Sequence, residues 1–187
     1  MSEPRTTITV FDTELGTMAI AALPNGALQR VWFDYDEEVD LRAAIKTTLD
    51  SFDYSSATPD FNDAANANLV RRFKKFASGN LDSFADVKLD LSWATPFQKR
   101  VIARARAIPY GKTLSYGSLA DKAGFPGAAR AVGSVMAKNR FPLVVPCHRV
   151  VASGKLLGGF SSQHGLCTKE RLLEMEGAIN EKGALVS

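Results

Sequence analysis

The chain contains few of the residues that build disulfide scaffolds and zinc sites. Its 187 residues include only two cysteines, Cys147 and Cys167, and two histidines. Two cysteines are too few for a disulfide framework, and a zinc site with four ligands would need both pairs or borrowed carboxylates. We therefore expect two free thiols, a reducing compartment and no bound metal.

Long apolar runs are also absent. No segment approaches the roughly 20 apolar residues that a membrane span requires, and Met1 to Val10 is too polar for a signal peptide. With 45% hydrophobic residues, the composition is that of an ordinary globular protein. These features predict an intracellular protein that has no membrane partner.

Acidic and basic residues are unevenly distributed. Residues 1–92 contain 9 Lys and Arg against 15 Asp and Glu, a net charge of −6, whereas residues 93–187 contain 14 against 5, a net charge of +9. A basic half is expected of a protein that binds a phosphate backbone, although uneven charge is also common on solvated surfaces. Charge alone leaves both interpretations open.

The first half has the alternating pattern of β-strands. Thr6, Ile8 and Val10 would face one side of a strand, and residues 17–23 and 28–33 follow as further strands with turn residues between them, which predicts an antiparallel meander. Apolar residues at helical spacing predict a helix over 60–76. A further strand is predicted at 87–93.

The second half has the pattern of helices. Thr95 followed by Pro96 predicts a helix start, and that helix should end before Pro109. Residues 115–122 and 128–138 predict two short helices around a tight turn, which suggests a helix-turn-helix. A helical hairpin packed in a core is the alternative.

A cysteine and a histidine are adjacent in the segment from Pro146 to Val150. A thiol reacts as its thiolate, so Cys147 beside His148 and Arg149 is a candidate nucleophile. A lone cysteine is otherwise a small buried hydrophobe. The neighbouring motifs decide between a nucleophile and a buried packing residue.

The chain resembles the O6-alkylguanine-DNA alkyltransferases, also called methylated-DNA–protein-cysteine methyltransferases. The resemblance spans Thr95 to Gly177 and centres on the segment from Pro146 to Val150. Further matches in the same order are Ile108 to Gly111, Ser115 with Tyr116, Ala128 to Gly133, and Asn139. Several motifs in one order are far harder to reach by chance than one.

The resemblance implies an α+β fold with two domains. Residues 1–92 would form an N-terminal α/β domain that is ribonuclease-H-like, with an antiparallel β-sheet and helices. Residues 93–187 would form a mainly helical, winged helix-turn-helix domain that binds DNA and carries the reactive cysteine.

The resemblance also implies DNA repair by a protein that reacts once. Cys147 would take the alkyl group irreversibly from O6-alkylguanine, and from O4-alkylthymine, after the base is flipped out, without a cofactor. His148 would act as base through a bridging water, and Glu176 would orient the imidazole and favour its charged form. Asn139 would brace the cysteine pocket, while Tyr116 would donate a hydrogen bond to the departing purine.

The implied partner is double-stranded DNA that contains O6-alkylguanine, bound by a monomer. Arg130 would fill the space that the flipped base vacates. The other residues that would contact DNA or the base are Ala129, Gly133, Met136, Ser115, Val150, Ser153, Phe160 and Ser161. The expected location is the cytoplasm, on the nucleoid of a prokaryote, or the nucleus of a eukaryote.

The stretch from Gly158 to Leu166 departs from the family pattern, because it is longer and has Phe160 where a tyrosine is common. We expect His164 to be a solvated loop residue and Cys167 to serve in packing. Two other functions remain open: a binder of alkylated DNA or a regulator without enzymatic activity, and a Cys–His thiol hydrolase, which would need an oxyanion hole.

Overall fold

The computed structural model describes residues 6–51, 60–61, 66–154, 156–180 and 184–186. The chain divides into two compact units, Met1–Asp90 and Leu91–Ser187. Within the described ranges, no helix is long and apolar enough to cross a membrane.

The first unit is built on a four-stranded sheet. Its elements are β1 (Thr7–Thr13), β2 (Gly16–Ala22), β3 (Leu28–Tyr35), α1 (Glu38–Ser51), β4 (Asp60–Phe61) and α2 (Ala67–Ala77). The strand order is β3-β2-β1-β4; the first three strands are antiparallel, and β4 is parallel to β1. The predicted antiparallel meander is therefore confirmed.

The two faces of this sheet pack against different helices. Ile8 and Trp32 belong to one apolar cluster with Ile45 of α1. Phe11 points to the opposite face, because successive side chains of a strand alternate, and its ring lies 6.1 Å from that of Phe73 in α2. Phe73 also stacks on Phe84 at 4.8 Å. Helices on both faces explain why β2 is buried along nearly its whole length.

Two local expectations for this unit need correction, and one helix was not predicted. The predicted helix over 60–76 begins only at 67, because residues 60–61 pair with β1, and residues 62–65 lie outside the described ranges. The predicted strand at 87–93 is a single bridge between Leu28 and Leu89, in which the Leu28 amide donates to the Lys88 carbonyl and the Asp90 amide donates to the Leu28 carbonyl. Helix α1 was not predicted, although Leu41, Ala44, Ile45 and Leu49 recur at helical spacing on its buried side.

The second unit is mainly helical. Its elements are α3 (Pro96–Arg106), β5 (Leu114–Ser115), α4 (Tyr116–Lys122), α5 (Ala129–Ala137), a 3-10 helix (Cys147–Arg149), β6 (Val150–Val151) and α6 (Leu166–Met175). Helix α3 begins where predicted, because Thr95 and Gln98 form a reciprocal cap: Oγ1 of Thr95 accepts from the Gln98 amide, and the Thr95 amide donates to Oε1 of Gln98.

Helices α4 and α5 form the expected helix pair around a tight turn. Ser115 caps α4, and Gly124 ends it with a positive φ of 83°. A Cβ on Gly124 would press on the guanidinium end of Arg100, so that flexible side chain would have to move. The short strands β5 and β6 pair in parallel, with Leu114 opposite Val150. The expected α+β fold is confirmed.

Candidate active site

Cys147 lies at the start of the 3-10 helix, where only 8% of the residue is exposed. Asn139 holds it from behind: Nδ2 donates to the Val145 carbonyl at 2.8 Å and lies 3.1 Å from Sγ of Cys147. Oδ1 of Asn139 accepts from the Phe141 amide at 3.0 Å. One side chain therefore fixes both ends of the segment that presents the thiol.

His148, next in the chain, is fully buried and contacts a carboxylate. Its Nε2 lies 2.9 Å from Oε1 of Glu176. Arg149 grips the same carboxylate with two donors, Nε to Oε2 and Nη2 to Oε1, each at 2.7 Å. The third donor of Arg149, Nη1, bonds to the Ile108 carbonyl, and its guanidinium lies over the Tyr110 ring at 4.2 Å.

Glu176 is positioned by the end of α6. The Gly177 amide donates to the Glu174 carbonyl and the Ala178 amide to the Leu173 carbonyl, which is a Schellman motif with Gly177 at a positive φ of 70°. A helix C-terminus repels a carboxylate. The charge of Arg149 compensates for this repulsion, so Glu176 remains ionised where the backbone alone would oppose it.

The shifts in pKa indicate which groups of this network carry a proton at neutral pH. Burial raises the pKa of Glu176, but the hydrogen bonds from His148 and Arg149 outweigh it and hold that pKa below its usual range. An ionised carboxylate only accepts hydrogen bonds, so Nε2 of His148 carries the proton. Nδ1 is buried and has no hydrogen-bond partner among the described residues.

His148 rests as a neutral imidazole. Burial lowers its pKa, and although Glu176 raises it, the net direction is downward. The expectation that the carboxylate favours the charged form holds for the pair taken alone, but burial is the larger effect at this site. A neutral ring with a proton on Nε2 leaves the lone pair on Nδ1 free to accept a proton.

Cys147 rests as a thiol. Burial raises its pKa above the ordinary value, while the Asn139 hydrogen bond and the charge of Lys169 lower it. Because the net direction is upward, the thiol needs a base before it can react. Burial also raises the pKa of Tyr116, which therefore keeps its phenolic proton at neutral pH.

The thiol opens on a cavity of about 360 Å³. It is lined by Tyr116, Gly133, Met136, Ala137, Cys147, Gly159, Phe160 and Ser161. The structure thus brings together two of the predicted catalytic residues and four of the predicted base-binding residues. The other predicted catalytic residues do not line the cavity. Asn139 contacts the thiol directly, His148 follows Cys147 in the chain, and Glu176 is hydrogen-bonded to His148.

Two glycines leave room for the Tyr116 ring. A Cβ on Gly133 would lie 3.9 Å from the ring, and a Cβ on Gly158 would lie 3.3 Å from Cε2. Gly158 also has a positive φ of 71°. The ring therefore occupies a slot between α5 and the loop after β6, and a side chain at Gly158 would press on it.

The remaining predicted DNA-binding residues do not line the cavity within the described part of the chain. Arg130 is exposed near the start of α5, next to the half-buried Ala129. Ser153 is exposed in the turn after β6, and Ser115 caps α4. Val150 is fully buried, and its carbonyl accepts from Nζ of Lys169 at 2.7 Å.

Two site residues were missed by the sequence analysis. Arg149 stood inside the Cys–His motif, and its place there was the only signal. Lys169 gave no signal, because a lysine in an amphipathic helix is usually solvated. Cys167 is exposed, so the expected packing role is wrong: it lies in the first turn of α6, on the solvent side. His164 is exposed, as expected.

Known proteins share both the sequence and the fold. The family model for the DNA-binding domain of 6-O-methylguanine DNA methyltransferase matches residues 96–178. A methylated-DNA–protein-cysteine methyltransferase of Mycobacterium bovis is 47% identical over 120 residues, covering 64% of this chain and 68% of the relative. One of Shigella flexneri is 34% identical over 168 residues, covering 89% and 93%.

Solved structures agree with these relatives. The Mycobacterium tuberculosis OGT in complex with DNA superimposes with a TM-score of 0.72 at 32% identity, covering 91% of this chain and 92% of that one. The O6-methylguanine-DNA methyltransferase of Pyrococcus kodakaraensis superimposes with a TM-score of 0.70 at 29% identity, covering 92% and 99%. The chain belongs to the methylated-DNA–protein-cysteine methyltransferase family.

Proposed function

We propose that this protein repairs alkylated DNA by moving an alkyl group from O6 of guanine, and from O4 of thymine, to Cys147. The observation that carries the proposal is the Cys147 thiol, which faces a cavity while Asn139 holds it and the adjacent His148 is bonded to an ionised carboxylate. The cavity volume lies in the range of small-molecule sites. The curated relatives are named for this reaction.

Cys147 is the nucleophile. The thiol proton passes through a bridging water to Nδ1 of His148. The proton on Nε2 of His148 stays on that nitrogen and remains hydrogen-bonded to Glu176. The sulfur then forms a bond to the alkyl carbon, and the bond from that carbon to O6 breaks with its electron pair on the guanine. A thioether is too stable to hydrolyse, so each chain reacts once and needs no cofactor.

Tyr116 assists the leaving group. Substitution at a saturated carbon creates no tetrahedral oxyanion, so the charge that needs stabilising lies on the departing purine. Tyr116 lines the cavity together with Cys147 and keeps its proton at neutral pH. The Tyr116 hydroxyl donates its proton to the purine ring as the alkyl group leaves. The proton that His148 took from the thiol then returns to the Tyr116 oxygen, so the guanine leaves neutral.

The target atom lies inside the duplex, so the base must leave the stack. Arg130 is exposed on α5, the helix that also contributes Gly133 and Met136 to the cavity. In this proposal Arg130 fills the space that the base vacates. The residues that contact the DNA backbone are Ala129, Ser115 and Ser153. Unit 2 carries the net charge of +9, which favours a polyanion.

The two units have different roles in this proposal. The strand order β3-β2-β1-β4, with only β4 parallel, supports a ribonuclease-H-like first domain over residues 1–92. Residues 93–187 form the domain that binds DNA and reacts. The chain works as a monomer on the bacterial nucleoid, or in the nucleus of a eukaryote, because its substrate is chromosomal DNA.

The two rival functions are less favoured. A lesion binder without activity has no use for a nucleophile that is held by Asn139 and backed by His148. A thiol hydrolase needs an acyl substrate, whereas the relatives are named for alkyl transfer from DNA. Turnover on thioesters would support the hydrolase.

The test is the intact mass of the protein after incubation with a duplex that carries one O6-methylguanine. We expect a gain of about 14 Da that stops at one per chain. Cys147→Ser should show no gain, and Cys167→Ser, which removes the exposed thiol, should gain the same mass as the unmodified chain. Binding of the duplex without any gain would overturn the transfer mechanism and support a lesion binder.

A further inference from the structure

Lys169 is a fully buried lysine that the mechanism above does not use. Its Nζ donates to three backbone carbonyls, those of Val150 at 2.7 Å, Leu157 at 2.5 Å and Gly159 at 3.4 Å. An ammonium group has three protons, so each has an acceptor. Among the described residues no carboxylate forms an ion pair with it, although burying an isolated charge is costly.

The three carbonyls belong to two different parts of the site. Val150 follows the 3-10 helix that carries Cys147. Leu157 and Gly159 belong to the irregular segment that continues into Phe160, and this segment forms one wall of the cavity. A single side chain of α6 therefore ties the cysteine segment to the opposite wall.

The charge of Lys169 acts on the reacting groups. Burial lowers the pKa of Lys169 to about 8, so the group remains mostly protonated at neutral pH. The cation lowers the pKa of Cys147 and that of His148. It therefore favours the Cys147 thiolate and keeps the resting His148 neutral, the form that can accept a proton, although the same charge opposes the imidazolium that forms when His148 takes the thiol proton.

Other charged and titratable groups face the same thiol and imidazole. Tyr116 on α4 interacts with Cys147, while Arg149 in the 3-10 helix and Glu176 at the end of α6 interact with His148. Glu176 and Arg149 already neutralise each other through the two-donor contact. Lys169 is thus the cation whose charge remains for the thiolate.

We propose that Lys169 is a positioning residue for the transfer: its ammonium group holds the Leu157–Gly159 wall against the cysteine segment and supplies the positive charge beside which the Cys147 thiolate forms. The inference rests on the proposed function for its biological meaning. Its chemical content, the reactivity of Cys147, can be measured without DNA.

The experiment follows alkylation of Cys147 by iodoacetamide from pH 6 to 10 in a Cys167→Ser background, which leaves one thiol. Lys169→Met removes the donors and the charge, Lys169→Gln keeps a neutral donor, and Lys169→Arg keeps the charge. Lys122→Met, an exposed lysine on α4, is the matched control. Each variant is also tested for methyl transfer and for the temperature of unfolding.

We expect the pH midpoint of alkylation to rise by about one unit or more in Lys169→Met and Lys169→Gln, which is a tenfold loss of thiolate at neutral pH. Lys169→Arg should keep the midpoint nearest to that of the unmodified chain, and Lys122→Met should match it. Methyl transfer should slow at least as much as alkylation does in the two neutral variants.

Unchanged midpoints in the folded neutral variants would overturn the proposal. Loss of folding in all three variants, including Lys169→Arg, would make Lys169 a structural residue only and would overturn it as well. The proposed function is tested separately: a shifted midpoint in a chain that accepts no methyl group from DNA would keep this inference and remove the repair function.

Discussion

The two units of the molecule differ in how many charged side chains they bury. Unit 1 has a core of apolar and aromatic side chains with one buried acid, Asp34, and the ion pairs of Arg72 with Asp82 and Asp86 are partly exposed. Unit 2 buries Lys169 and the Arg149–Glu176 pair beside a reactive thiol. Buried charges contribute little net stability. Their concentration around Cys147 in unit 2 indicates that they serve the reactivity of the thiol rather than the stability of the unit.

The largest expected effect comes from removing one partner of each ion pair. Arg149→Met leaves the Glu176 carboxylate buried without its main partner and should lower the free energy of unfolding by about 3–5 kcal/mol. Arg72→Met breaks a pair that water can replace, so it should cost about 1 kcal/mol or less. Urea unfolding measures both.

Each unit contains one tryptophan, Trp32 or Trp93, so Trp→Phe variants allow the unfolding of each unit to be followed by fluorescence. An equal loss in Arg149→Met and Arg72→Met would contradict the comparison between the units.

A second effect concerns chemistry rather than stability. Glu176→Gln should slow methyl transfer by about 100-fold, because the imidazole loses the carboxylate that fixes its tautomer. Asp34→Asn alters the buried acid of unit 1 and should leave the transfer rate unchanged. Single-turnover rates with a methylated duplex give the answer. A normal rate in Glu176→Gln would remove Glu176 from the mechanism.

A third pair of variants uses glycines that have positive φ and close neighbours. Gly16→Ala would place a Cβ 2.7 Å from the Tyr35 carbonyl in unit 1, and Gly158→Ala would place one 3.3 Å from the Tyr116 ring in unit 2. Both should lose about 1–3 kcal/mol of stability.

Only Gly158→Ala should also slow transfer, by about tenfold, because only it displaces a group at the cavity. Gly154→Ala in the same unit, with a positive φ but open space around its Cβ, is the control for backbone strain. Slower transfer in Gly16→Ala would show that the units are coupled.

The smallest expected effect is the pH dependence. Burial lowers the pKa of His148 below its ordinary 6.5, so the unfolded chain binds that proton more readily. The stability from neutral His148 is complete above pH 6.5 and is lost as the pH falls through the folded-state pKa. In unit 1, the hydrogen bond from Arg72 holds the pKa of Asp82 below 3.8, so its contribution is lost only at lower pH.

Lowering the pH from 7.5 to 4.5 should therefore reduce the free energy of unfolding of the unit that Trp93 reports and leave that of the unit that Trp32 reports unchanged. Urea unfolding at each pH measures both. His148→Gln should remove that loss. Parallel weakening of both units over this range would contradict the assignment to His148.

Much of the fold could be predicted from local signals. The start of α3 follows from Thr95 and Pro96, and β1 follows from the alternation of Thr6, Ile8 and Val10, because capping and period-2 patterns act over a few residues. The strand expected at 87–93 failed for the opposite reason. Its alternating pattern was real, but among the residues that the structure describes β3 bonds to it only at Leu28, and no strand there continues the pairing.

The site was predictable only in part. Cys147, His148 and Tyr116 were found because they stand in motifs, and their catalytic roles remain predictions until the variants are measured. The predicted contact of Val150 with the base stays a prediction: its side chain is buried, and its carbonyl accepts a hydrogen bond from Lys169. Residue spacing carries no information on which way a carbonyl points.

The sequence by itself determined the neighbours along the chain: the thiol beside the imidazole, the helix caps, and the acidic and basic halves. These depend on residue type and short-range backbone preference. Only the tertiary structure brought Glu176 to His148 across 28 residues and buried Lys169 against three carbonyls. Burial also lowers the pKa of the imidazole more than Glu176 raises it, because desolvation depends on everything that packs around a group and not on its neighbours in the chain.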